Sequence, residues 1–285
     1  RKELTKSLEK PPVMTILKDS QPFIFNITSF DANALPSLEW ALVSAPEGMT
    51  LSAKGEMWWS PNIAGHTQYT IKLSDGFAID EFRGEIYVNK LPRILGEPPK
   101  IINAGDTLVY KIEIDDENTL AVDSTQIVHE IKLTTFPDGA SLNDEAEMHW
   151  ISQRGDSGSQ SFNIGIFDGA EFINQPFDVF VNDIPQITSS NNIRILLGDS
   201  LTHQIIVLDN NANDTIKYTI TPEKHDSLSN KPNIDFNYET GMLMWVPDSA
   251  ELGEHTFNIE VSDNHPNSSS KQVLTLLVFR PPIII

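Results

Sequence analysis

Apolar and polar residues alternate strictly in three stretches of this chain, and each stretch ends in an aspartate. Tyr69, Ile71 and Leu73 run into Asp75; Phe162, Ile164 and Ile166 into Asp168; Phe257, Ile259 and Val261 into Asp263. Period two over this length predicts a β-strand with one buried and one wet face. A tryptophan column precedes it. Met57-Trp58-Trp59, Met148-His149-Trp150 and Leu243-Met244-Trp245 set Trp59, Trp150 and Trp245 at intervals of 91 and 95 residues. Two further columns keep the same order. Asp19, Asp106 and Asp199 lead into the inward sets Phe23/Phe25/Ile27, Tyr110/Ile112/Ile114 and His203/Ile205/Val207. Val88, Val181 and Val278 each stand four residues before a proline, at Pro92, Pro185 and Pro282. Four concordant columns divide the chain into three copies of one module.

Proline has no ladder donor and biases its predecessor towards extended backbone, so it suits a crossover between modules. The expected modules are 1–91 (with 1–10 a charged lead-in), 92–184 and 185–281. Residues 282–285 open as Pro92-Arg93-Ile94 and Pro185-Gln186-Ile187 do; they read as the start of a fourth module or as an apolar tail on a sheet edge. Each copy holds about seven short strands between Gly, Asn, Asp and Pro clusters, with no sustained helical stripe. The expected fold is all-β: three tandem β-sandwich modules, each plugged by its inward Trp. Short links predict an elongated, semi-rigid rod, with modules of roughly 35–40 Å and a total of roughly 110 Å.

Several segments carry a family resemblance. Ala45-Pro46-Glu47-Gly48-Met49-Thr50-Leu51, Gly55-Glu56-Met57-Trp58-Trp59-Ser60-Pro61, Ala64-Gly65 and Ser74-Asp75-Gly76 resemble the bacterial immunoglobulin-like and dystroglycan-type cadherin-like repeats. The second copy keeps Phe136-Pro137-Asp138-Gly139 and has Ser152 in place of the second proline. The third keeps Gly241, Trp245, Pro247, Gly253 and Asp263 but lacks the first proline–glycine pair. The resemblance implies that the three tandem β-sandwich modules are immunoglobulin/cadherin-like, and that they serve as spacer and interaction modules in large cell-surface, secreted or periplasmic proteins.

Composition narrows the function. The 285 residues carry 40 acidic and 20 basic side chains, a formal charge of −20. Such a charge repels phosphate and anionic lipid, which argues against nucleic-acid partners and membrane adsorption. No run reaches the roughly 18 apolar residues of a membrane span. The absence of cysteine removes disulfides, thiolate catalysis and zinc–thiolate sites, and leans towards a bacterial source.

Candidate chemistry is sparse. No G-x-S-x-G, H-E-x-x-H or phosphate-cradling loop occurs, and the seven histidines are scattered, so no enzyme and no organic cofactor are expected. The cadherin resemblance implies Ca²⁺ at a junction. Val181-Asn182-Asp183-Ile184-Pro185 looks like the cadherin linker, with Asp168 and the Asp115-Asp116-Glu117 loop in the same module. Asp116, Asp168, Asn182 and Asp183 are therefore the candidate calcium ligands at the junction of modules 2 and 3. At the other two junctions, Asn89-Lys90 and Phe279-Arg280, a cation replaces the acid. The alternative is that Asp75-Gly76, Asp168-Gly169 and Asp263-Asn264 are simply hairpin turns. Trp58 points outward if Trp59 points in. It is then a candidate contact for a sugar ring or a partner protein, or a ring packed under a loop or at a module junction. The expected function is a non-enzymatic spacer or interaction segment whose partners are other protein chains or further copies of itself. An adhesin or carbohydrate-binding segment is the alternative.

Overall fold

A computed structural model describes residues 14–18, 22–27, 38–120, 129–223 and 233–282. The lead-in 1–10, Asp19, His225 and Ile283–Ile285 lie outside the described residues. The chain forms two compact units. The first comprises 1–97, 111–134 and 163–176; the second comprises 98–110, 135–162 and 177–285.

In the first unit, strands β1 (Met14–Leu17), β2 (Phe23–Asn26), β3 (Glu39–Ser44), β4 (Thr50–Leu51), β5 (Glu56–Trp59), β6 (Gly65–Ser74) and β7 (Ile79–Asn89) make two sheets. Their orders are β1-β7-β6-β3 and β2-β5-β4. Alternation selects the faces. Tyr69, Ile71, Ile86 and Val88 from one sheet meet Met57 and Trp59 from the other in a single buried cluster. Trp59 Nε1 donates to the Glu47 carbonyl at 3.1 Å, so the indole is buried without an unpaired donor. Gly84 pairs with Tyr69 across β6 and β7. A Cβ there would stand 2.1 Å from the tyrosine ring, so only glycine leaves the ring its place.

Strands β8 (Arg93–Leu95), β9 (Ile101–Asn103), β10 (Thr107–Lys111), β11 (Glu113–Asp115), β12 (Glu130–Thr135), β13 (Ser141–Leu142), β14 (Glu147–Ile151), β15 (Gly158–Phe167) and β16 (Phe172–Asn182) follow. In the first unit β8 pairs antiparallel with β11. In the second, β9 runs parallel to the end of β16, from Ile101↔Phe180 to Asn103↔Asn182. Here Trp150 packs edge-on against Phe162, and Phe162 stacks on Phe177 at 5.1 Å. Trp150 Nε1 donates to the Asp138 carbonyl, 12 residues back, as Trp59 does to Glu47.

The second unit also holds β17 (Gln186–Ile187), β18 (Asn192–Leu196), β19 (Leu201–Gln204), β20 (Val207–Leu208), β21 (Lys217–Pro222), β22 (Asp235–Phe236), β23 (Met242–Trp245), β24 (Gly253–Ser262) and β25 (Ser269–Phe279). The orders β18-β25-β24-β21 and β19-β23-β22 repeat those of β1–β7. In all three repeats the first strand of the larger sheet runs parallel to the last: β1 on β7, β9 on β16, β18 on β25. Leu243, Trp245, Ile259 and Val278 close the third core. One detail differs. Trp245 Nε1 is buried without an acceptor, and its ring meets His255 edge-on at 5.2 Å. The third copy lacks the proline–glycine turn whose carbonyl serves Trp59 and Trp150.

Candidate functional site

Most of the polar residues buried among the described ones gather at the two linkers. Each closing strand, β7 and β16, ends in an asparagine that is almost fully enclosed: Asn89 is 1% exposed and Asn182 is 0% exposed. A polar side chain so placed must be bonded, because unpaired burial costs more than a good bond returns.

The first linker is a hydrogen-bonded network in which Asn89 Oδ1 stays buried without a partner. Asn89 Nδ2 donates to Asp168 Oδ2 at 2.9 Å. Asp168 Oδ1 accepts the amides of Ala170 and Glu171 at 2.8 and 2.6 Å, which holds the β15–β16 turn. Asn118 straddles the linker backbone: its Nδ2 donates to the Val88 carbonyl at 2.8 Å and its Oδ1 accepts Lys90 N at 2.6 Å. Asp116 Oδ1 accepts Asn118 N and its Oδ2 meets His129 Nε2, both at 2.8 Å. Glu117 pairs with Lys18 and Lys90, whose hydrogen bonds push its carboxyl down to about 2. Protein hydrogen-bond partners thus already occupy both oxygens of Asp168 and of Asp116. A metal ion does not fit this set.

The second linker repeats the frame. Asn182 Nδ2 donates to Asp263 Oδ2 at 3.0 Å. Asn211 takes the place of Asn118: its Nδ2 donates to the Val181 carbonyl at 3.3 Å and its Oδ1 accepts Asp183 N at 2.5 Å. Asp209 Oδ1 accepts Asn211 N at 2.8 Å, as Asp116 accepts Asn118 N. Asp183, whose side chain is fully buried, is held by Arg154 Nε at 2.7 Å and accepts Asn210 N at 2.9 Å. Arg154 also donates to the Ile184 carbonyl at 2.5 Å, which ties the linker to the turn after β14.

What distinguishes the second linker is surplus acid. Ligand oxygens of Asp209, Asp214 and Asp263 all lie within 4.8 Å of one another. Asp209 Oδ2, Asp214 Oδ2 and Asn182 Oδ1 are buried with no hydrogen-bond partner. Burial first, and then the charges of Asp214, Asp183 and Asp263, raise the Asp209 carboxyl above its ordinary range. Hard oxygens with open lone pairs in an enclosed place are the chemistry a divalent cation such as Ca²⁺ uses.

The expected ligand set therefore divides. Asp116 and Asp168 lie in the first unit with Asn89 and Asn118, while Asn182 and Asp183 lie in the second. Asp209 and Asp214 were missed by the sequence reading. The signal was Asp209-Asn210-Asn211-Ala212-Asn213-Asp214, six residues of which all but Ala212 bear a side-chain oxygen and none is basic. Trp58 is 44% exposed and lies opposite Ile24, itself 48% exposed, on the outer face of β2 and β5.

No family model matches the chain, and no curated protein matches it. Solved structures do. Three titin immunoglobulin domains, I67–I69 in an E-to-A variant, share 16% identity at a TM-score of 0.58, covering 98% of this chain and 100% of that one. The N-terminal eight immunoglobulin domains of Down Syndrome Cell Adhesion Molecule share 15% identity at a TM-score of 0.59, covering 94% of this chain and 36% of that one. The fold is a tandem of immunoglobulin-like β-sandwiches. Among the described residues no helix is long and apolar enough to cross a membrane.

Proposed function

We propose that the chain is a non-enzymatic spacer and protein-interaction segment, made of three repeats that meet near Pro92 and Pro185, within a larger cell-surface, secreted or periplasmic assembly. The observation that carries this reading is the recurrence of one linker bond, Asn89–Asp168 and Asn182–Asp263. A buried polar bond repeated at each linker favours one geometry over a free hinge, and a fixed geometry is what a spacer needs. The acid excess supports the same reading by keeping a long surface solvated. Partners would be neighbouring protein chains or further copies. Small-angle scattering tests the spacer: an elongated monomer of roughly 110 Å is expected, and a compact particle would refute it.

At the second linker Asp209, Asp214 and the Asn182 side-chain carbonyl, each with an open buried oxygen, would hold Ca²⁺ beside Asp263, with water completing the six to eight oxygens the ion takes. The ion would supply positive charge among three clustered carboxylates and stiffen that linker. Asp183 stays outside the set because Arg154 holds it. Titration with Ca²⁺ should raise the melting temperature of the wild type and leave Asp214→Asn unmoved. Equal curves with millimolar Ca²⁺ and with chelator would dispose of the metal.

A second reading rests on Trp58 beside Ile24. That exposed pair suits an adhesin or carbohydrate contact through stacking. Sugar binding on a glycan array, abolished in Trp58→Ala, would support it; silence across the array would not.

A further inference from the structure

We propose that the tip of the β6–β7 hairpin in the first repeat, Asp75 to Ile79, is a docking surface for a further immunoglobulin-like repeat, one whose closing strand ends aromatic–Val–Asn. The proposal rests on the spacer reading in one respect: it treats hairpin tips as the acceptors of linker bonds.

The two linkers define what such a tip receives. β7 ends Tyr87-Val88-Asn89 and β16 ends Phe180-Val181-Asn182, the same triple in each. In both, the asparagine amide reaches one oxygen of the hairpin aspartate, at 2.9 and 3.0 Å. The other oxygen of that aspartate holds the turn, through Ala170 N in one case and His265 N in the other. The aromatic of the triple has its own place. Phe180 lies against His265, two residues after Asp263, with ring centroids 5.6 Å apart.

The first repeat carries the same acceptor. Asp75 Oδ1 accepts Phe77 N and Ala78 N at 2.8 and 2.7 Å, so the turn is built on one oxygen, as in Asp168. Phe77 stands two residues after the aspartate, where His265 stands in the third repeat. It is 89% exposed, and Ile79 beside it is 60% exposed, whereas the engaged aspartates Asp168 and Asp263 are only 2% and 6% exposed. A carboxylate beside an uncovered aromatic matches the Asn amide and the aromatic of the triple.

This chain does not supply the missing end itself. Asn89 and Asn182 are already engaged. The third repeat ends Leu277-Val278-Phe279, and Phe279 has no amide; its ring instead lies under the Arg194 guanidinium at 5.2 Å. The occupant is therefore a repeat other than these three, with Asn in that place.

The experiment builds the end and offers it to the hairpin. Phe279→Asn, and the double variant Leu277→Phe/Phe279→Asn that completes the triple, serve as unlabelled donors. They are added up to about 1 mM, the effective concentration a short linker provides, to isotope-labelled wild-type chain. The expected result is a saturable shift of the Gly76–Ile79 amides with at least one donor, none with wild-type donor, and loss of the shift when the labelled chain carries Phe77→Ser. The Phe77→Ser chain keeps the aspartate and its turn. Near-ultraviolet tryptophan spectra confirm that the donors fold, and two donors guard against one failing. No shift from either folded donor, an equal shift from wild-type donor, or a shift that survives Phe77→Ser would overturn the proposal. Scattering from the single chain tests the spacer reading separately, so the two can fail independently.

Discussion

Asn182 donates its amide to Asp263 across 81 residues of chain, at 3.0 Å, and Asn89 does the same to Asp168 across 79. The two bonds occupy equivalent places in successive repeats, and each sits at the end of a long closing strand. Their recurrence marks the linkers as built interfaces. Around the common bond the linkers differ in charge. At the first, Lys18 and Lys90 pair with Glu117; at the second, Arg154 pairs with Asp183; a histidine meets an aspartate at each, His129 with Asp116 and His265 with Asp214.

Asn89→Ala should destabilise the chain by about 1–3 kcal/mol, because it leaves the buried Asp168 oxygen without a donor. Asn89→Asp should cost more, since it sets a second carboxylate beside the first. Chemical denaturation of both variants measures the order; a neutral Asn89→Ala would mean that the bond contributes nothing.

The raised carboxyl of Asp209 sets a pH dependence. Its folded pKa lies above its unfolded value, so folding favours the protonated group. That contribution is fully present below the unfolded pKa and is lost as pH rises through the folded one. In chelator, Asp209→Asn should therefore gain stability relative to wild type near neutral pH, and the gain should vanish on acidification. Thermal melts at stepped pH check the sign, and a variant less stable than wild type at pH 7 contradicts it.

The tryptophan column gives an internal comparison. Trp59→Phe loses an indole N–H bond to Glu47, whereas Trp245→Phe removes an N–H that has no acceptor. Both lose similar ring volume. Trp59→Phe should cost about 1 kcal/mol more than Trp245→Phe, measured as the difference between the two in urea unfolding.

Gly84→Ala places a methyl group 2.1 Å from the buried Tyr69 ring. Overpacking of this kind costs about 1–3 kcal/mol. Pairing it with Tyr69→Leu should return part of the loss, and a double-mutant cycle reads the coupling. Additive costs would show that the ring is not the obstacle.

Much of the fold was legible in the sequence. The period-two columns around Tyr69, Phe162 and Phe257 are buried where alternation put them, and Trp59, Trp150 and Trp245 are core residues. The weakened third copy was legible too: the missing proline–glycine turn leaves Trp245 without an acceptor. The linker chemistry was not. The Asn-Asp-Ile-Pro segment directed attention to Asp183, which Arg154 pairs, and away from Asp209 and Asp214, each of which keeps one buried oxygen without a partner.

Alternation and tryptophan spacing are relations between residues near in the chain, and in a strand the neighbouring side chains decide for themselves which face is dry. The sequence alone therefore determined the strands, the repeat and the cores. A carboxylate has no such local rule. Whether Asp168 or Asp263 closes a turn, holds a linker or faces a cation depends on which donors reach each oxygen, and those donors arrive from strands about 80 residues away. Only the tertiary structure, by bringing β7 and β16 to their hairpins, decided that both oxygens of Asp168 are engaged at the first linker and that the second has acid to spare.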